Sequence, residues 1–312
     1  MKSILSLALA FSVALGVPAF AQTRLITLGT QGGPMPSLTR AQPANALIVR
    51  DRIYLVDAGN GVAHQLLAAG LDHRKVDRIF ITHNHDDHNA DWGTLMGLQW
   101  STGRRDDVHV YGPAGTESML QGFLQYFAPN ARIRMGDSKA YPDPRAIFHA
   151  HDFTVPGVIY KDDLVVVSAF ENCHFAHGPD AQRDAQDKSY ALRFETPDQV
   201  VVFSGDTGRC PGLETFAKGA SVLVHEVIDL PLIEQALRRD MPPGMADALM
   251  RHMIAEHTSG EDIGRLAEAA HVKKVVLTHV IPGRGEPDST FIDPVRQHYR
   301  GDVVVARDLM TF

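Results

Sequence analysis

Short runs of branched and aromatic apolar residues alternate along this chain with polar and glycine-rich breaks. Leu25-Ile26-Thr27-Leu28 predicts a strand, and Gly29-Thr30-Gln31-Gly32-Gly33-Pro34 a turn-rich loop after it. Ala46-Leu47-Ile48-Val49 and Ile53-Tyr54-Leu55-Val56 flank Arg50-Asp51-Arg52 in a hairpin pattern. Residues 62–69 have helical spacing, and Gly70 suits a C-cap. Arg78-Ile79-Phe80-Ile81 is the next strand, then come a short helix at 91–99, a strand at 108–111 and a helix ending at Phe127. Residues 129–163 are proline-rich and irregular, the pattern of a variable insertion or lid. The second half repeats the rhythm, with strands at 164–169, 190–194, 200–203, 222–224 and 274–277 and helices at 232–239, 246–255 and 260–270. Strands followed by helices, twice, predict an α/β fold of two packed sheets with helices outside, its halves being about 22–163 and 164–312 of one domain.

Composition narrows the setting. The chain has 312 residues, 44% hydrophobic, long enough for a sizeable core. Residues 1–21 read as an export signal: Lys2, an apolar stretch over 4–17, and Ala19-Phe20-Ala21 as the cleavage site before Gln22. The expected location is therefore periplasmic or secreted, with no membrane anchor and a homodimer left open. A net charge of -7 argues against a partner held by charge neutralisation, so the expected substrate is a small-molecule ester with no nucleic acid. An exported chain can form a disulfide between Cys173 and Cys210, but a core of this size does not need one, so two buried thiols are expected.

The chemistry gathers at strand ends. Thr82-His83-Asn84-His85-Asp86-Asp87-His88-Asn89 places His-x-His-x-Asp-His directly after a buried strand. Side chains two apart in extended chain point the same way, so His83 and His85 share a face, and imidazole and carboxylate together suit zinc. Later strands end near His174, Asp206 and His279. One metal would take His83, His85 and His174, the other Asp87, His88 and His279, with Asp206 bridging. That implies about two zinc ions per chain. Asp57 would hold a ligand histidine by its other ring nitrogen. His149 and His151 form a second His-x-His without the following Asp-His and are expected to lie off the site. Thr258-Ser259-Gly260-Glu261 is a capping-box pattern, and His257 before it could donate to an oxyanion or leaving group, with Glu226 orienting it.

Taken with Leu28-Gly29-Thr30, Val56-Asp57-Ala58-Gly59, Tyr111-Gly112-Pro113, Asn172-Cys173-His174, Ser204-Gly205-Asp206-Thr207, His225-Glu226, His257-Thr258 and Leu277-Thr278-His279, the chain resembles the metallo-β-lactamase superfamily. Within it, the likeness is to the branch of ribonuclease Z and the metal-dependent arylsulfatases. The resemblance implies a four-layer αββα sandwich, the metal set above, and Asp87, His257 and Glu226 as catalytic residues. It departs at the third motif, where His174 is followed by His177 and a polar run over 180–188 instead of Gly-Tyr, so a different substrate rim is expected. The function expected is an exported dinuclear zinc hydrolase acting on a phosphodiester or sulfate ester through an activated water. A lactonase or β-lactamase is the alternative, ahead of tRNA 3′ processing or metal binding without turnover.

Overall fold

The computed structural model describes residues 23–175 and 186–312. The expected export signal and His177 lie outside the described residues. The strands are β1 (Thr23–Gly29), β2 (Ala44–Val49), β3 (Arg52–Val56), β4 (Val76–Phe80), β5 (Val108–Gly112), β6 (Phe148–Asp152), β7 (Gly157–Lys161), β8 (Val166–Glu171), β9 (Tyr190–Glu195), β10 (Val200–Phe203), β11 (Val222–Ile228), β12 (Lys274–Ile281), β13 (Asp302–Val305) and β14 (Met310–Thr311). They form two seven-stranded sheets, ordered β14-β1-β2-β3-β4-β5-β6 and β13-β12-β11-β10-β9-β8-β7. The helices are α1 (Val62–Ala68), α2 (Asp86–Asn89), α3 (Trp92–Ser101), α4 (Thr116–Asp137), α5 (Leu213–Phe216), α6 (Leu230–Asp240), α7 (Pro243–Glu256), α8 (Gly260–Ala269) and α9 (Ser289–Arg296).

Period-two alternation builds the layers. Along β2 and β3, Ala46, Ile48, Ile53 and Leu55 pack outward with Leu66, Trp92 and Trp100 of the helices. Their neighbours Leu47, Val49, Tyr54 and Val56 turn inward and meet Tyr190, Phe194 and Phe203 of the other sheet. In the second sheet, Val202, Leu223 and Val275 face outward onto Ile263, Ala267 and Val295. Both faces of each central sheet are covered, which is why these strands read as near-continuous apolar runs. The result is the four-layer αββα sandwich.

Residues 129–163 depart from expectation. Helix α4 continues through Pro129 to Asp137, and the rest supplies β6 and β7, the edge strands of the two sheets. Proline removes one helical hydrogen bond, but packing of α4 against β5 and β6 carries the helix past it. The chain thus crosses between sheets after Asp152, earlier than 163, and β14 returns to the first sheet beside β1. Among the described residues no helix is long and apolar enough to cross a membrane.

The cysteines also differ from expectation. Cys173 and Cys210 form a disulfide, with Cα atoms 5.2 Å apart. Each sits in a loop beyond a strand end, and β8 and β10, which flank β9 and run the same way, deliver both loops to the same end of the second sheet.

Candidate metal centre

The site forms where the strands of both sheets end. β4 delivers Thr82 and His83. One helical turn, α2, then lifts Asp87 and His88 inward, both buried. Gly59 admits this turn, because a Cβ there would collide with the Asp87 carbonyl. β8 ends before His174, β10 before Asp206, and β12 carries His279. His279 sits at a bulge: Glu226 pairs with Thr278 and Val227 with Val280, so His279 is the extra residue, with φ 43°. A bulge re-aims one side chain, here into the site.

Two ligand groups result, His83/His85/His174 and Asp87/His88/Asp206/His279. In the first, His85 Nδ1 lies 3.1 Å from both His83 Nε2 and His174 Nε2. In the second, His88 Nε2 lies 3.5 Å from Asp87 and 3.4 Å from Asp206, while His279 Nε2 lies 3.3 Å and 3.0 Å from the same carboxylates. The expected positions are therefore brought together, while His149 and His151 lie on β6, outside both groups.

The surrounding hydrogen bonds set which ring nitrogens face inward. His88 Nδ1 donates to Asp57 at 2.9 Å, and Thr82 N–H donates to the same carboxylate at 2.8 Å. The Thr82 hydroxyl donates to Asp57 and so accepts from His83 Nδ1 at 3.1 Å. His174 Nδ1 donates to the Glu256 carbonyl at 3.0 Å. These partners leave Nε2 of His83 and of His174 facing His85 Nδ1, and Nε2 of His88 facing Asp87 and Asp206. Three imidazole nitrogens converging in the first group cannot all satisfy one another, and in the second His88 Nε2 and Asp206 Oδ1 are buried with no hydrogen-bond partner among the described residues. Such a donor set fits divalent cations of the zinc class. Asp57 has φ 61°, a strained backbone placed where it holds both Thr82 and His88. Its role was legible in the sequence. The Thr82 relay and the Glu256 carbonyl were not, because a hydroxyl and a backbone carbonyl carry no metal signal in the sequence.

The two groups differ electrostatically. Burial, then His88 and His174, push the His83 imidazole well below its usual range, and burial takes His174 down to about 3. Burial opposes charge on His279 too, but Asp206 and Asp87 overcome it and raise it to about 10. His88 is raised in the same way by Asp206, Asp87 and Asp57. Burial works against ionised Asp206, yet His279 and His88 hold it well below the usual carboxylate range. The first group favours neutral imidazoles, whereas the carboxylates of the second call for positive charge, which a proton on His88 or His279, or a bound cation, can supply.

His257 closes α7 and lies beside both groups, its ring 5.5 Å from His174 and 5.8 Å from His279. Its Nδ1 donates to Glu226 Oε2 at 3.3 Å. The other Glu226 oxygen accepts from Thr258 N–H at 3.0 Å and Thr207 N–H at 3.3 Å. Glu226, His257 and His279 also approach closely enough to form a third ligand group. Because Glu226 is occupied by these donors, orienting His257 is the arrangement its contacts favour. Burial lowers the His257 pKa, but Glu226 outweighs it and the net shift is upward. The helix cap differs slightly from expectation: Ser259, not Thr258, accepts from Asp262 N–H, and the Thr258 hydroxyl instead donates to the Thr207 carbonyl.

Residues 52–280 match the family model for the beta-lactamase superfamily domain. A ribonuclease Z of Mycobacterium sp. (strain KMS) is 31% identical over 259 residues, covering 82% of this chain and 84% of that protein. A ribonuclease Z of Mycobacterium marinum is 28% identical, covering 82% and 86%. Among solved structures, human tRNase Z, short form, superposes with a TM-score of 0.65 at 19% identity, covering 93% of this chain and 98% of that one. The metallo-beta-lactamase fold protein YhfI from Bacillus subtilis gives 0.66 at 18%, with the same coverage. The relatives' names overturn the expectation of a small-molecule ester substrate with no nucleic acid. That expectation rested on net charge, which sums over the whole surface and does not describe the field in one cleft. The chain belongs to the metallo-β-lactamase superfamily, as a hydrolase that resembles ribonuclease Z.

Proposed function

We propose that this chain is a dinuclear, zinc-dependent phosphodiesterase that cleaves RNA. The observation that carries the reading is the meeting of two buried ligand groups beside the Glu226–His257 pair, on a chain whose relatives are named ribonuclease Z. His83, His85 and His174 would hold one ion, Asp87, His88 and His279 the second, and Asp206 both. When bound, such a pair lowers the pKa of water towards ~7 and neutralises charge on the phosphoryl oxygens.

The chain's own residues supply the rest. Asp57 and Thr82 keep His88 and His83 in the tautomers that face inward. Glu226 fixes the His257 ring through Nδ1, leaving Nε2 to carry a proton to the departing oxygen. The upward pKa shift at His257 favours that protonated form.

The test uses zinc-loaded protein on a tRNA bearing a 3′ extension, an unstructured RNA and a chromogenic phosphodiester, beside a lactone, a cephalosporin and an aryl sulfate. Cleavage of RNA that stops in chelator and returns with zinc is the expected result. No RNA cleavage, with rapid turnover of a lactone, a cephalosporin or an aryl sulfate, would overturn the reading.

A further inference from the structure

A second set of imidazoles lies away from the strand-end centre. His149 and His151 are two apart on β6 and share a face. Strand β5 runs beside it in parallel, with His109 opposite His149 and Tyr111 opposite His151. His109 Nδ1 and His151 Nε2 are 2.9 Å apart. The His149 ring centre lies 4.9 Å from that of His109, and its Nε2 is 3.3 Å from Asp107. All three residues are partly exposed, His149 and His151 on edge strand β6 and His109 on its neighbour β5, so an ion could reach them from solvent.

We propose that His109, His149 and His151 form a separate divalent-metal site, of the zinc, nickel and copper class, at the edge of the first sheet. The chemistry follows from the register. A His-x-His pair and a cross-strand histidine present three imidazoles on one pleated face, a donor set that suits borderline ions. His109 and His151 share one proton across their 2.9 Å contact. A tetrahedral ion with bonds of ~2.0–2.1 Å would sit between those nitrogens and open them to ~3.3 Å, while the donor ring changes tautomer and carries its proton on its other nitrogen. His149 joins by rotating its ring away from Asp107, which then remains as a nearby negative charge. Burial, then Arg78 and the neighbouring histidines, hold His109 down at about 4, so its ring is neutral and able to bind metal near pH 7. The site shares no residue with the strand-end centre. Its effect would be to fasten edge strand β6 to β5, where a sheet otherwise leaves unpaired backbone groups.

The experiment adds Zn2+ to protein already loaded with zinc and freed of excess ion. Calorimetry should show a further, weaker equivalent, and the ring-nitrogen NMR signals of His109, His149 and His151 should shift as it fills. H109Q, H149Q and H151Q should each weaken that equivalent at least ~10-fold while phosphodiester turnover stays unchanged, which also reports that each variant folds. Absence of a further equivalent would overturn the site. So would one that persists undiminished in the H109Q/H151Q double variant. Neither result depends on which bond the strand-end centre cleaves.

Discussion

At the scale of single residues, the proposed reading divides the site between groups that would hold metal and groups that hold those groups. His257 belongs to neither. Its Nδ1 is fixed by Glu226, and it follows a helix end instead of a strand end. His257→Ala is expected to retain zinc, read by metal analysis, and to lose about 10²–10⁴-fold in kcat on RNA. On a p-nitrophenyl phosphodiester the loss should shrink, because that leaving group needs little protonation. Loss of zinc would instead make His257 a ligand through the third group. Asp57→Asn tests the supporting layer. An amide cannot accept from both Thr82 and His88 as the carboxylate does, so zinc affinity should fall about 10–100-fold. Competition with a chelating dye measures it, and unchanged affinity would remove Asp57 from the site's support.

At the scale of elements, the turn between β7 and β8 ties the two sheets together. Asp162 accepts from Arg52 at 2.6 Å and from Tyr54 at 2.7 Å, both on β3 of the other sheet, and from Tyr160 at 2.8 Å. Burial raises the Asp162 pKa, but donation from Tyr54, from the Leu164 and Val165 amides and from Tyr160 wins, holding it at about 2. A carboxylate depressed below its unfolded value of ~3.9 adds stability that is full above that pH and lost as pH falls towards 2. Asp162→Asn should flatten the decline of unfolding free energy across that window and cost ~1–3 kcal/mol at neutral pH. An unchanged acid profile would mean the network does not contribute. Helix α4 makes a related point. Its passage through Pro129 is decided by packing against β5 and β6, which outweighs one missing hydrogen bond.

At the scale of the whole molecule, the disulfide links the loop carrying His174 to the loop after Asp206. It closes a sequence separation of 37 residues, and bonds of this kind stabilise by about 2–4 kcal/mol. Denaturant unfolding of the C173S/C210S double variant should show a loss of that order; no loss would mean the surrounding packing already holds these loops. A disulfide also suits an oxidising compartment. Expression with residues 1–21 intact should yield a periplasmic or secreted protein beginning at Gln22, checked by fractionation and N-terminal mass analysis. A cytosolic protein retaining residues 1–21 would remove the export expectation.

Local rules determined much of this molecule. The apolar runs of β2 and β3 made these strands legible as buried ones, while which side chains face inward follows from period-two geometry only once the two sheets are packed. The His83-to-His88 cluster was legible too: its ligands lie within one loop after one strand, and six residues have few ways to arrange them. Tertiary structure decided what depends on register between distant strands. The pairing of Cys173 with Cys210, the reach of Glu256 to His174, and the placing of His109 against His149 each join residues whose separation the hydrophobic pattern does not encode. His279 needed a bulge set by how β12 lies on β11. Net charge misled about nucleic acid because a sum over residues carries no positions, whereas recognition depends on where the charges stand.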